Sequence, residues 1–177
     1  MPVTYEELAE SVVSSAAGGY SFETWNGRIE AGQLVSSGFV GAVGGINNIN
    51  FARFQVDVRD EAELRHWVDA GARVLVILAD AWQADFGSVW TADVRDAQQV
   101  TRGQPWTGWV TWLSAGRRAR VPEDLASTAT VMPDGSLVMS MLPRDGTVPS
   151  MHLIVHLAER LREAGAFEPC PVDRSRW

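Results

Sequence analysis

Between Asp60 and Trp82 the apolar residues Leu64, Trp67, Val68, Gly71, Val74, Leu75, Leu78 and Trp82 recur at helical spacing. That period draws one broad stripe over about six turns and fits an amphipathic α-helix, not a strand. Asp60 stands where an N-cap belongs, and Glu63 three positions on completes the capping-box spacing. The run from Val74 to Ala79 is apolar nearly all round, which predicts a helix sandwiched between two layers and not merely laid on a sheet. A chain of 177 residues can bury such a helix in a single core. The expectation is one domain over 1–167 and an irregular tail over 168–177.

The flanking texture sets the fold class. Thr4 and Glu7 repeat the capping-box spacing, so a helix is expected from about 4 to 16, ended by Gly18-Gly19. From Tyr20 to Val58 β-branched and aromatic residues are broken by Asn26-Gly27, Gly32 and Gly44-Gly45, which predicts strands near 20–25, 34–43 and 49–57. Beyond Asp85 lie strand-like segments at 86–91, 107–113, 128–131 and 137–141. Pro133-Asp134-Gly135 joins the last two as a hairpin turn, because proline presets φ and glycine accepts the left-handed position. A last helix from about 150 to 164 gathers Leu153, Ile154, Leu157, Ala158 and Leu161 and ends at Gly165. The order predicts an α+β domain: a mainly antiparallel sheet of six to seven strands, packed with one long central helix, an N-terminal helix and a C-terminal helix.

Charge narrows the partners. Fifteen Lys and Arg against 22 Asp and Glu leave a formal net charge of −7. A negative surface repels phosphate backbones and attracts basic proteins, so direct nucleic-acid binding is not expected. Asp57, Asp60, Glu61, Glu63 and Asp69 form the densest acidic cluster, read first as a solvated helix face and second as a docking surface for a basic partner. Cys170 is the only cysteine, which excludes an intramolecular disulfide and a cysteine-based zinc site. The first twenty residues carry acids where a secretion signal carries a basic region, and no apolar run reaches the length of a membrane span. A cytoplasmic protein with no membrane contact, monomeric or homodimeric when free, is expected.

Catalytic constellations are thin. His152 and His156 stand four apart, and helical geometry adds Glu159 and Glu163 to their face. Imidazole and carboxylate suit a borderline metal, but the segment His-Leu-Ile-Val-His lacks the glutamate that a metalloprotease helix places after the first histidine. A solvated face is the plainer reading, an adventitious metal site the second and a small metal-dependent hydrolase the third. No G-x-S-x-G elbow occurs, and Gly41-Ala-Val-Gly44-Gly45 lacks the ending of a phosphate loop. Asp80 and Asp85 flank Trp82, with Asp93 and Asp96 beyond. They are read as caps or ion-pair partners first, partner contacts second and an acid–base pair last. No catalytic residue, metal or cofactor is assigned.

Tryptophan is the compositional anomaly, with eight residues at 25, 67, 82, 90, 106, 109, 112 and 177. Were 107–113 a strand, Trp109 and Trp112 would point to opposite faces. Either both enter the core, or Trp109 does and Trp112 meets a partner, since indoles are favoured interface anchors.

Taken in order, Phe22-Glu-Thr-Trp25-Asn26-Gly27, Trp82-Gln-Ala-Asp85-Phe86, Gly108-Trp109-Val-Thr-Trp112-Leu113-Ser114, Pro149-Ser-Met-His152 and Leu161-Arg-Glu-Ala164-Gly165 resemble the Immunity protein 52 family of bacterial polymorphic toxin systems. The resemblance runs from about residue 20 to 167. The sequence departs from the family pattern in a shorter N-terminal region, in Ala84 where a proline is common, in Trp112 where a tyrosine is usual, and in a thinner proline-rich segment with Pro122 alone. The resemblance implies a cytoplasmic immunity protein of interbacterial competition that holds a cognate toxin, often a nuclease domain, inactive by binding it. It implies no enzyme. Trp25, Asn26, Gly27, Trp82, Gly108, Trp109 and His152 would then be structural motif residues, and Asp57, Asp60, Glu61, Glu63, Asp69, Asp85, Asp93 and Trp112 the candidate partner-binding set. A chaperone or adaptor for a secreted effector would share that surface.

Overall fold

The computed structural model describes residues 13–14, 20–25, 34–40, 51–56, 58, 60–100, 104–142 and 149–168, with backbone pairing alone for the strands before 57. The chain divides into two compact units whose boundary falls between Trp67 and Val68. Both are antiparallel in their strand pairing, so the described chain is α+β.

In the first unit β1 (Val13–Ser14), β2 (Tyr20–Trp25), β3 (Leu34–Val40) and β4 (Phe51–Val56) form a sheet in chain order. Tyr20 pairs with Val40 and Trp25 with Val35, while Leu34 pairs with Val56 and Phe39 with Phe51. These β-branched and aromatic runs are the strands expected at 20–25, 34–43 and 49–57. The expected N-terminal helix is corrected where it is described. Val13 and Ser14 pair with Ser21 and Tyr20 as a strand. Val12-Val13-Ser14-Ser15 is β-branched and rich in hydroxyls, which weakens a helix. The rest of that segment, Asn26-Gly27, Gly41–Gly45 and the tail from 169 lie outside the described residues.

The long helix α1 (Glu61–Trp82) begins as its sequence predicts. The Glu63 N–H donates to Asp60 Oδ1 at 2.9 Å, which satisfies one of the free first-turn donors. It ends on Gln83 at φ 46°, with Ala84 N–H bonded to Ala79 O and Gln83 N–H to Asp80 O. That is a Schellman closure formed without glycine.

The second unit holds β5 (Phe86–Val89), α2 (Ala92–Asp96), β6 (Val110–Leu113), α3 (Ala115–Arg118), α4 (Glu123–Ala126), β7 (Thr130–Val131), β8 (Leu137–Ser140) and α5 (Met151–Glu163). Its sheet runs β5-β6-β8-β7, antiparallel throughout. Where one sheet of six or seven strands was expected, the described strands lie in two sheets of four. The β7–β8 connection is the expected turn: Gly135 has φ +85°, and Asp134 Oδ1 accepts from the Ser136 amide and hydroxyl. Those bonds hold the Asp134 carboxyl below its ordinary value.

Both faces of this sheet are covered by helices. On one, Leu113, Leu137 and Met139 pack with Leu157, Ala158, Leu161, Ala166 and Phe167 of the α5 region. On the other, a Cβ on Gly87 would meet Leu75 of α1, and one on Gly71 of α1 would meet Val89 at 3.1 Å. Trp112 pairs opposite Gly87, so it lies on the α1 face. The helix α5 closes on Gly165, φ +77°, with Gly165 N–H to Arg162 O and Ala166 N–H to Leu161 O. The other side of α1 is open. Ile77 is 67% exposed and Val74 43%, so within the second unit the helix lies on the sheet and is not sandwiched. The apolar run misled because two turns of hydrophobic sequence exceed what one sheet face covers.

Candidate functional site

The acidic cluster disperses when placed on α1. Asp57 lies outside the described residues. Asp60 is used as the helix cap, and Glu61 and Glu63 occupy the first turn, where a carboxylate is favoured by the helix dipole. Two residues apart on a helix is about 200°, so Glu61 and Glu63 do not share a face. Asp69 is exposed, as is Asp93 in the first turn of α2.

Asp85 has a different task. Its carboxylate accepts from Arg117 Nε at 2.8 Å and from Ser114 Oγ at 3.3 Å, and it forms an ion pair with the Arg117 Nη2 group. Arg117 is 0% exposed and also donates to Ala166 O at 2.7 Å and Glu168 O at 2.9 Å. One buried guanidinium therefore ties the exit of α1 to α3 and to the chain beyond α5. Asp85 is a scaffold residue, and so is Ser114, whose hydroxyl also accepts from the Arg117 amide. Sequence reasoning did not find Arg117. No spacing signals a pair formed across 32 positions.

The motif residues converge on the same scaffold. A Cβ on Gly108 would lie 2.1 Å from Val89 O, so only glycine allows the backbone approach there. Trp109 donates from Nε1 to Thr91 Oγ1 at 3.3 Å. Trp109 and Trp112 are 5% and 4% exposed. Both indoles are core because both sheet faces are covered, which leaves Trp112 no free edge for a partner. Trp25 ends β2 and Trp82 ends α1, while Asn26 and Gly27 are outside the described residues. Next to Gly108, Gln98 accepts from the Thr107 amide at 3.0 Å and donates to Val94 O and Thr107 O at 2.8 Å, and the Thr107 hydroxyl lies 2.9 Å from Ile154 O.

The aromatic cluster beside α2 was not foreseen. Trp106 meets Phe86 and Trp90 edge to face at 5.1 and 5.7 Å, and the Arg95 guanidinium sits over Trp106 at 5.4 Å and Trp90 at 5.6 Å. Arg95 is exposed, and a cation–π contact at an exposed site contributes about 0.5–1 kcal/mol.

His152 and His156 are exposed on α5 with parallel rings 6.4 Å apart. Glu159 Oε2 lies 3.8 Å from His156 Nδ1. Among the described residues no group of three or more His, Cys, Asp and Glu is placed to hold a metal ion. Asp80 is exposed while Asp85 is bound by Arg117, so these two carboxylates do not act as a pair.

The surface that does assemble is the outer side of α1 within the second unit. Asp69 and Asp80 are eleven residues apart, which returns them to within about 20° of one another and about 16 Å along the axis. Exposed Arg73 stands between this row and Ile77, and Val74 lies on the far flank of Ile77. Exposed apolar side chains edged by charged ones, Asp69, Arg73 and Asp80, have the composition of a protein-docking patch. No helix among the described residues is long and apolar enough to cross a membrane. No protein-family model matches the chain, and no curated protein matches it.

Proposed function

We propose that this protein is an immunity protein that binds a basic toxin domain of the nuclease type and silences it stoichiometrically, in the cytoplasm, without catalysis. The observation that carries the reading is Ile77, two-thirds exposed on a helix whose opposite side is anchored, with Asp69 and Asp80 along its edge. An aliphatic anchor supplies affinity when desolvated, and the acids steer a basic partner and set its register. Asp93, exposed in the same unit, adds to its negative charge, consistent with the net charge of −7. Asp85 and Trp112 serve by holding the scaffold rigid, which lowers the entropic cost of association.

The test is co-expression with the neighbouring reading frame. The expected result is rescue of growth and co-purification of a one-to-one complex that Ile77→Asp weakens at least tenfold without lowering the protein's own stability. A toxic neighbour left fully active by the intact protein contradicts the reading.

A further inference from the structure

The exposed side of α5 carries a histidine pair that the proposed docking role does not use. His152 and His156 are one turn apart with rings parallel to within 10°. Their helix is fixed from beneath by Ile154, Leu157, Ala158 and Leu161, all buried. A fixed backbone sets the spacing of the two imidazoles, and only side-chain torsions remain to be adjusted. A bound ion would need both nitrogens within about 2.1 Å, a closure within reach of exposed rotamers on residues whose Cβ atoms are about 6 Å apart. The surroundings favour a cation. Glu159 stands 3.8 Å from His156, and Glu163 lies on the same side one turn further. Arg160, the cation nearest along the helix beyond His156, is drawn to Asp124 by bonds of 2.8 and 3.0 Å, which keeps its charge off the pair.

We infer that His152 and His156 form a two-imidazole site for one divalent transition ion of the copper, nickel and zinc class, with water completing the coordination. Nitrogen ligands select these ions over magnesium and calcium, and the affinity should rank copper above nickel and zinc. Bridging one helical turn should also raise thermal stability, because the ion binds two histidines spaced by a folded helix more tightly than the same two in the unfolded chain.

The experiment is calorimetric titration of the full, metal-free chain with Cu²⁺, Ni²⁺, Zn²⁺ and Mg²⁺ separately, with melting curves at saturation. The expected result is one Cu²⁺, Ni²⁺ or Zn²⁺ per chain, no Mg²⁺, and a raised Tm with the bound ion. His152→Asn and His156→Asn should each lower the affinity at least tenfold and remove the Tm rise, while His66→Asn and Cys170→Ser leave both unchanged. Binding that survives His152→Asn, or that disappears with His66→Asn or Cys170→Ser, overturns the inference. Far-ultraviolet circular dichroism of the two α5 variants separates lost chelation from lost folding, since both positions are exposed.

Discussion

Replacing Asp85 by alanine tests whether the buried ion pair organises the second unit. Arg117 has no exposed surface, and its guanidinium faces Asp85, Ala166 O and Glu168 O. In Asp85→Ala the two carbonyls remain, but the positive charge is left buried without its counter-charge. Breaking a buried pair in this way costs about 3–5 kcal/mol. For a chain of this size each 1 kcal/mol moves Tm by roughly 2–4 °C, so a fall of roughly 6–20 °C is expected. The assay is urea unfolding followed by tryptophan fluorescence, because Trp109 and Trp112 are buried in the same unit. Arg117→Met alone should cost a comparable amount, since it orphans Asp85 and two carbonyls. The double variant should cost less than the sum, by about 0.5–3 kcal/mol of coupling. A loss below about 1 kcal/mol in Asp85→Ala, or strict additivity of the pair, would refute the assignment of Asp85 to the scaffold and return it to the partner surface.

Three further outcomes follow from local geometry. Gly108→Ala places a methyl 2.1 Å from Val89 O, a clash with backbone that no side-chain rotation relieves, so the variant should be recovered unfolded or with a much reduced Tm. Thr107→Val removes a hydroxyl that lies 3.0 Å from Gln98 Oε1 and 2.9 Å from Ile154 O and should cost about 1–2 kcal/mol in urea unfolding. Asp134 is held below its ordinary value of 3.8 by the Ser136 hydroxyl and amide. Its contribution to the β7–β8 turn is therefore complete above pH 3.8 and fades as the pH falls through the lower folded value, which carbon-detected NMR titration of the carboxyl, with Asp134→Asn as reference, will register.

Much of the architecture was legible because period and punctuation agree. The Asp60 cap, the stripe over α1, Gly165 after α5 and the Pro-Asp-Gly turn each have a local physical cause, and each is found in place. The helices α2, α3 and α4 were missed because four or five residues are too few to display a period. The N-terminal helix failed at Val13-Ser14, where a capping-box spacing outweighed β-branched residues in the reading. For the site, composition found the negative charge but not its placement. Asp85 looked like one acid among many, and only the fold brings it to Arg117. Ile77 and Val74 looked like core, because a sequence does not say how many sides of a helix will be covered.

The central claim is a stoichiometric complex with a basic protein through the outer side of α1, and it is tested most directly by titrating the purified partner domain into this protein in a calorimeter. The account predicts saturation at one to one, an affinity that falls with added salt, and at least tenfold weaker binding for Ile77→Asp at unchanged Tm. Equal affinity for Ile77→Asp and the parent protein would contradict it.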